Sequence, residues 1–321
     1  MFRVNTTSST GHHYNTTTRL PKYSRLMSKP IHIPVLAAEV IEHFDPQPRQ
    51  TFVDGTLGGG GHTKLFAERV GPDGLVIAMD RDPQALNAAE VNLKGLPVKL
   101  VHGNFCDLPE VLAEMQISFV DGIVLDLGIS SDQLADDDRG FSFTAAGSLD
   151  LRMDPSQGEP AWRLIERLSA EHLANLIYEF GEERHSRRIA RKVVERRRTT
   201  RIRTADQLAD IVRSCVPTGK RKGFDPATRT FQALRIAVND ELKSLDIVLR
   251  RIPECLRAGG RVGVISFHSL EDRRVKIAFR DDKRYEVLTK KPVRPSDAEV
   301  AGNPRSRSSR LRMAARGNEE A

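Results

Sequence analysis

The stretch from Thr51 to His62, Thr-Phe-Val-Asp-Gly-Thr-Leu-Gly-Gly-Gly-Gly-His, limits what this chain can fold into more than any other. A short apolar run ends on Asp54, four glycines follow at Gly58 to Gly61, and a helical pattern begins near His62. That is the order of strand, glycine turn and helix start in nucleotide-binding α/β sheets. Glycine there lets the backbone turn sharply and approach a ligand where a Cβ would collide. Leu75 to Met79 reads as a second buried strand and ends on Asp80, about 20 residues past the glycines, where such folds place an acid on ribose hydroxyls. A glycine turn alone also fits a purely structural role. Joined to an acid-tipped second strand, it points to a nucleotide-type cofactor.

The alternation continues downstream. Val35, Val40, Ile41 and Phe44 suggest an amphipathic helix opening the domain between Ile31 and Phe44. Leu65, Phe66 and Val70 give the apolar face of a first crossover helix stopped by Gly71-Pro72, and Ala85 to Leu93 reads as the next helix. Val98 to His102 is a third strand leading into Gly103-Asn-Phe105. Phe119 to Leu125 is a fourth, apolar enough to be buried on both faces, and it ends on Asp126. Strands alternating with helices imply a parallel doubly wound sheet with its ligands at the carboxyl ends of the strands. Asp54, Asp80 and Asp126 all fall at such ends.

From Leu149 to Leu249 only helical patterns occur. Ser169 is an N-cap before Leu173, Leu176, Ile177 and Phe180; Thr204 and Gln207 form a capping box. Phe231, Leu234, Val238, Leu242, Leu245 and Leu249 trace one face of a single long helix. The sheet resumes at Arg261 to Phe267 after a Gly259-Gly260 turn, with Tyr285 to Thr289 and Ser309 to Ala314 as the last strands. The expected organisation is a leader over residues 1–30, a sheet domain over 31–148 and 250–321, and an all-helical insertion over 149–249.

Composition sets the class of partner. The 321 residues carry a net charge of +7, and ten cations from Arg184 to Arg203 are opposed inside that run by Glu195 alone. Lys220-Arg-Lys222 adds a second basic loop. A basic helix face can simply be solvated, but so dense and one-signed a run points to nucleic-acid phosphates. No apolar run approaches the roughly 20 residues of a membrane helix. Cys106, Cys215 and Cys255 are scattered singly, which suits a reducing cytoplasm and argues against a zinc knuckle or disulfide framework. No dedicated metal site is evident. Residues 1–30 are rich in Ser, Thr and Asn and lack acids. They read as a disordered, dispensable leader, a transit-type peptide, or a start assigned upstream of Met27.

Eight blocks carry a specific resemblance. Asp54 to His62, Met79-Asp-Arg-Asp82, His102-Gly-Asn-Phe105, Leu125 to Gln133, Arg139-Gly-Phe-Ser-Phe143, Leu149 to Asp154, Arg235 to Leu242 and Ser266 to Arg273 resemble, in order, the ribosomal RNA small subunit methyltransferase H family. The resemblance implies a class I methyltransferase, Rossmann-like α/β sheet and S-adenosyl-L-methionine as donor. The acceptor it implies is N4 of a cytidine in the decoding region of small-subunit rRNA. By motif it assigns cofactor contacts to Gly60, Gly61 and His62, the ribose to Asp80, the adenine to Phe105 and the methionine side to Asp126 and Gln133. An Asp/Asn-Pro-Pro-aromatic motif, common among amino-methyltransferases, is replaced here by Asp126-Leu-Gly-Ile. Asp126 is therefore the candidate for cofactor ligand and amine acceptor alike. His268 reads equally as a structural or a substrate-facing histidine. Phe141 and Phe143 read as core aromatics or as a stacking surface.

Three rival readings share part of the pattern. A nicotinamide-dependent oxidoreductase would use the same glycine turn and Asp80 but has no need of an Arg-rich insertion. A non-catalytic rRNA-binding assembly protein would explain the charge but not three acids on one ligand edge. A small-molecule methyltransferase fits the cofactor signals alone. The oligomeric state is not legible.

Overall fold

The computed structural model describes residues 34–143, 146–217 and 225–317. The expected leader and the Lys220-Arg-Lys222 loop lie outside these. The chain opens with α1 (Ala37–Phe44), β1 (Thr51–Asp54), α2 (Gly61–Val70), β2 (Leu75–Asp80), α3 (Pro83–Asn92), β3 (Val98–His102), α4 (Leu108–Glu114), β4 (Val120–Asp126) and the short α5 (Ser131–Ala135). Six helices follow: α6 (Ala161–Arg167), α7 (Ala170–Gly181), α8 (Ser186–Arg197), α9 (Ala205–Cys215), α10 (Thr228–Asn239) and α11 (Glu241–Cys255). The chain closes with β5 (Leu256–Ser266), α12 (Ser269–Asp281), β6 (Tyr285–Val287), α13 (Asp297–Gly302) and β7 (Arg310–Arg316).

The strands form one sheet in the order β3-β2-β1-β4-β5-β7-β6. Pairing is parallel from β3 through β5, and β7 runs antiparallel to both β5 and β6. Chain order reverses between β1 and β4, the switch point where a crevice opens beyond the strand ends. Both faces are covered. Leu245, Val248, Leu249 and Ile252 of α11 pack with Val275 and Phe279 of α12 against Ile123, Val262 and Val264 on one side. On the other side α1 and α2 lay Val40, Phe44 and Phe66 over Phe52 and Val124. There Phe52 stacks on Phe66 with centroids 4.7 Å apart, and Phe44 meets Phe66 edge-on. Gly122 of β4 is needed for this packing, because a Cβ would come within 2.4 Å of the Phe52 ring.

A separate apolar cluster joins α6 to α10 with Phe141, Leu149 and Leu151. Its boundary differs from the expected 149–249. The helix expected from Phe231 to Leu249 is two helices, broken at Asp240, whose φ is 51°. Long-range hydrogen bonds set the break. The Asn239 amide donates to Leu151 O at 2.7 Å and its Oδ1 accepts from Met153 N at 2.7 Å, while Arg81 Nη1 donates to Asn239 O at 2.6 Å. Asn and Asp tolerate the left-handed region better than most residues, so the apolar spacing runs on through a bend. Helix α11 consequently belongs to the sheet's core. Strand β5 also begins earlier than expected, at Leu256, and the Gly259-Gly260 pair sits within it near a register shift against β4.

Candidate active site

The first loop of the sheet is shaped by its own backbone. After Asp54, Gly55 N donates to Val124 O, Leu57 N to Met79 O, and Gly60 N to Leu57 O, folding residues 55–60 over the ends of β1, β2 and β4. Gly58 and Gly60 take φ of 48° and 77°, values that favour glycine. Gly61 has a different reason for lacking a side chain. A Cβ there would lie 2.9 Å from Pro34, so its close approach is to the opening segment of the domain.

Three carboxylates converge on this loop. Asp54 is buried and accepts from Thr63 Oγ1 at 2.7 Å and Thr56 N at 3.1 Å; burial still raises its pKa, against those hydrogen bonds. Asp80 accepts from Gly58 N and Asp82 N, each at 2.8 Å, and burial pushes it up to about 6 despite both bonds. Asp126 is pushed up to about 8, by burial first and the Asp54 charge second, with Arg305 opposing. Its backbone N–H donates to Thr56 Oγ1 at 2.6 Å, and its Oδ2 lies 3.7 Å from Nε2 of the buried His62. Asp126 Oδ1 is buried without a hydrogen-bond partner, yet 18% of the side-chain surface stays exposed. A carboxylate so placed is under-solvated and open on one side, a setting that suits a cation or a hydrogen-bond donor.

Phe105 lies beside the turn, its Cβ 3.1 Å from where a Gly55 Cβ would stand. It starts a 3-10 turn capped by Asn104, whose Nδ2 donates to Ser244 Oγ of α11 at 3.0 Å. Gln133 is placed near the site with its amide already engaged. Its Oε1 accepts from Ser130 N at 2.9 Å in a capping box, and its Nε2 donates to Asp82 Oδ2 at 2.8 Å. Arg139 Nη1 meets the same Asp82 oxygen at 3.0 Å and its Nη2 donates to the carbonyls of Arg152 and Met153, fastening the loop after β4 to β2 and to the helical segment.

Sequence reading missed Thr56, Thr63, Asp82 and Arg305. Arg305 comes from a 3-10 turn almost 180 residues downstream of the loop it holds, so no local pattern could reveal it. It donates to Ser131 Oγ and to the carbonyls of Ile129 and Ser130, clamping the stretch that begins at Asp126. His268 takes the structural course. It caps α12, its Nδ1 accepts from Glu271 N, and its Nε2 lies 3.1 Å from Glu271 Oε1. Burial raises the Glu271 pKa, but the His268 and Arg235 charges and the Phe267 N–H outweigh it and leave the carboxyl below its usual range. Glu241, His268 and Glu271 bring one ligand atom each within 4.8 Å of one another. Arg235 already neutralises Glu241 with hydrogen bonds of 2.8 and 2.9 Å, so the trio forms an ion-pair network joining α10, α11 and α12. Phe141 and Phe143 both pack in the helical core, Phe143 edge-on to Phe231 at 5.1 Å.

The MraW methylase family matches residues 29–317 of this chain. The chain belongs to that family. The ribosomal RNA small subunit methyltransferase H of Rhodopirellula baltica is 48% identical over 296 residues, covering 89% of this chain and 91% of its own. The enzyme of the same name from Sorangium cellulosum is 49% identical over 287 residues, covering 89% and 90%. The sheet order, with β7 inserted antiparallel between β5 and β6, is the Rossmann-like class I methyltransferase arrangement that the motif blocks imply. Membership in a methylase family turns the reading away from an oxidoreductase and from a non-catalytic assembly protein. No described helix is long and apolar enough to cross a membrane.

Proposed function

We propose that this methylase, in the cytoplasm, transfers a methyl group from S-adenosyl-L-methionine to N4 of a cytidine in the decoding region of small-subunit rRNA. One observation carries the chemistry: Asp126, with a buried unpartnered oxygen, stands across the glycine turn from Asp80 at the sheet's switch point. When bound, the donor supplies an electrophilic methyl group on a sulfonium. Asp80 receives the ribose hydroxyls. Its two oxygens each accept one backbone N–H, and a carboxylate has about four lone-pair sites, so two remain. Gly60, Gly61 and His62 line the turn, Phe105 offers a ring to the adenine, and Gln133, through Asp82, steadies the loop on the methionine side.

The acceptor amine is a poor nucleophile because its lone pair is delocalised into the pyrimidine ring. Asp126 accepts a hydrogen bond from the N4 amine, which localises that lone pair, and takes the proton as the N–C bond forms and the C–S electron pair returns to sulfur. A base titrating near neutrality suits this task. The target base must be unstacked to reach the strand ends, which costs a few kcal/mol and favours a single-stranded site. Arg187, Arg188, Arg191, Arg196 and Arg198 are exposed on or beside α8, opposite its buried Ile189, Ala190 and Val193, and supply the phosphate contacts. Arg197 does not join them, because its guanidinium donates to the Ile165 and Leu168 carbonyls and holds the end of α6.

Methyl transfer from labelled S-adenosyl-L-methionine to small subunits lacking the modification tests this function, with the product nucleoside identified. Label on N4 of one cytidine is expected; donor binding with label only on small amines would refute the rRNA acceptor. A pH dependence follows from the raised carboxyls. Below pH 8 Asp126 holds a proton, and below 6 so does Asp80; each must lose it to face the donor's positive charge and hydroxyls. Donor affinity measured by calorimetry is expected to rise with pH by up to about ten-fold per unit between 6 and 8 and then level off. An affinity flat from pH 6 to 9 would exclude Asp126 as the charge that meets the sulfonium.

A further inference from the structure

Beyond Asp126 the chain keeps one more ladder bond, Leu127 N to Ile265 O at 2.9 Å, and then turns at Gly128, whose φ is 106°. What fixes its course after that turn comes from the far end of the sequence. The Arg305 guanidinium donates to Ser131 Oγ, to Ile129 O at 3.3 Å and to Ser130 O at 3.2 Å. Ser130 and Gln133 then close their capping box, so the course set by Arg305 reaches Gln133 as well. The turn that carries Arg305, Pro304–Ser308, is itself firmly held. Ser306 Oγ donates to Asn303 O at 2.8 Å and Ser309 Oγ to Ser306 O at 2.7 Å, and both serines are fully buried. Glu299 of α13 accepts from Leu36 N at 2.7 Å and ties the same segment to the opening of the domain.

Neutral carbonyls and a hydroxyl need donors but not a charge. A half-buried guanidinium gives up part of its hydration, and that burial lowers the Arg305 pKa, while the Asp126 and Asp132 charges work against the loss. Asp126 is faced by Asp54 of β1, by His62 of α2 at 3.7 Å and by Glu271 of α12. The Asp54 and Glu271 charges both oppose a negative Asp126, and the Arg305 charge favours it. We infer that Arg305 is a positioning residue for methyl transfer: it fixes the turn after Asp126 and supplies the positive charge that lets Asp126 accept the amine's proton. That assignment rests on the reading of Asp126 as the acceptor.

The test is the pH dependence of single-turnover methyl transfer from S-adenosyl-L-methionine to small subunits lacking the modification, with the full chain. In the wild type the rate is expected to rise with pH up to about 8, as Asp126 loses its proton. Arg305→Gln keeps a hydrogen-bond donor and removes the charge, so its rise is expected to move up by about one unit. At pH 7 the rate then falls about ten-fold, and most of it returns at higher pH. Arg305→Lys keeps the charge but loses the fork that spans Ile129, Ser130 and Ser131. Its rise should stay in place while the rate drops several-fold at every pH. An arginine with a merely structural role would lower the rate and the melting temperature in both variants and leave both rises unmoved. That result, or an equal displacement in the two variants, would overturn the inference. Should Arg305→Gln fail to fold, Arg305→Lys decides by itself, because a displaced rise or a wild-type rate would each overturn it. A wild-type rate flat from pH 6 to 9 would instead remove Asp126 as the acceptor, and the role of Arg305 with it. Donor affinity by calorimetry should show the same one-unit displacement in Arg305→Gln without RNA, so failure of the rRNA acceptor leaves the test of Arg305 intact.

Discussion

Asp126→Asn is expected to lower the rate of methyl transfer to small subunits by about 10²–10⁴-fold, the usual worth of a positioned proton acceptor. Asparagine is nearly isosteric, and the backbone N–H that bonds Thr56 Oγ1 is untouched, so the fold should survive. The amide can still accept a hydrogen bond from the amine but cannot take up its proton. Below pH 8, where Asp126 holds a proton, the substitution exchanges one neutral side chain for another. The variant is therefore expected to melt near the wild-type temperature while losing activity. Single-turnover rates and donor affinity, measured together, separate the roles. A loss confined to the rate marks Asp126 as the amine's acceptor, and a loss confined to donor affinity marks it as a ligand of the sulfonium alone. A variant with wild-type turnover would remove Asp126 from both.

Asp80→Ala is expected to weaken donor binding by roughly 100-fold or more. Two hydrogen bonds from ribose hydroxyls to a carboxylate contribute on the order of 1.5–3 kcal/mol each, and 1.4 kcal/mol is a factor of ten. Part of any effect would come from the turn, because the same carboxylate accepts Gly58 N and Asp82 N. Asp80→Asn is the milder change. It keeps one of those two backbone bonds, sets an NH₂ where the other N–H and a ribose hydroxyl must donate, and removes the charge. If calorimetry finds donor affinity unchanged in the Asn variant, the ribose does not sit on Asp80. If the Ala variant alone is defective and also melts early, Asp80 chiefly holds the glycine turn.

Much of the site was legible because its elements are short-range. An apolar run followed by an acid and glycines describes a strand, its tip and its turn within a dozen residues, and the same holds for Asp80 at the end of β2 and Asp126 at the end of β4. The Ser130–Gln133 and Thr204–Gln207 capping boxes are equally local, and both are present. Where the reading faltered, a residue's partner lay far along the chain. Gly61 is tied to Pro34, Arg197 to Ile165 and Leu168, and Arg305 to residues 129–131. Gln133 carries the same lesson, since only the approach of Asp82 shows that its amide is already engaged. The helix continued past Asn239 on paper because an apolar stripe at 3.6-residue spacing cannot register a bend made by hydrogen bonds to Leu151 and Met153.

By itself, then, the amino-acid order determined the alternation of strands and helices, the acids at three strand tips, the Arg-rich character of the helical segment and the family. Tertiary structure alone decided which core α11 joins, which arginines remain open to solvent, and that Asp126 keeps a buried oxygen without a partner. The division has a physical cause. Periodicity and turn chemistry act over a few residues, whereas burial, charge proximity and the pKa shifts they produce depend on groups that only folding brings within a few ångströms.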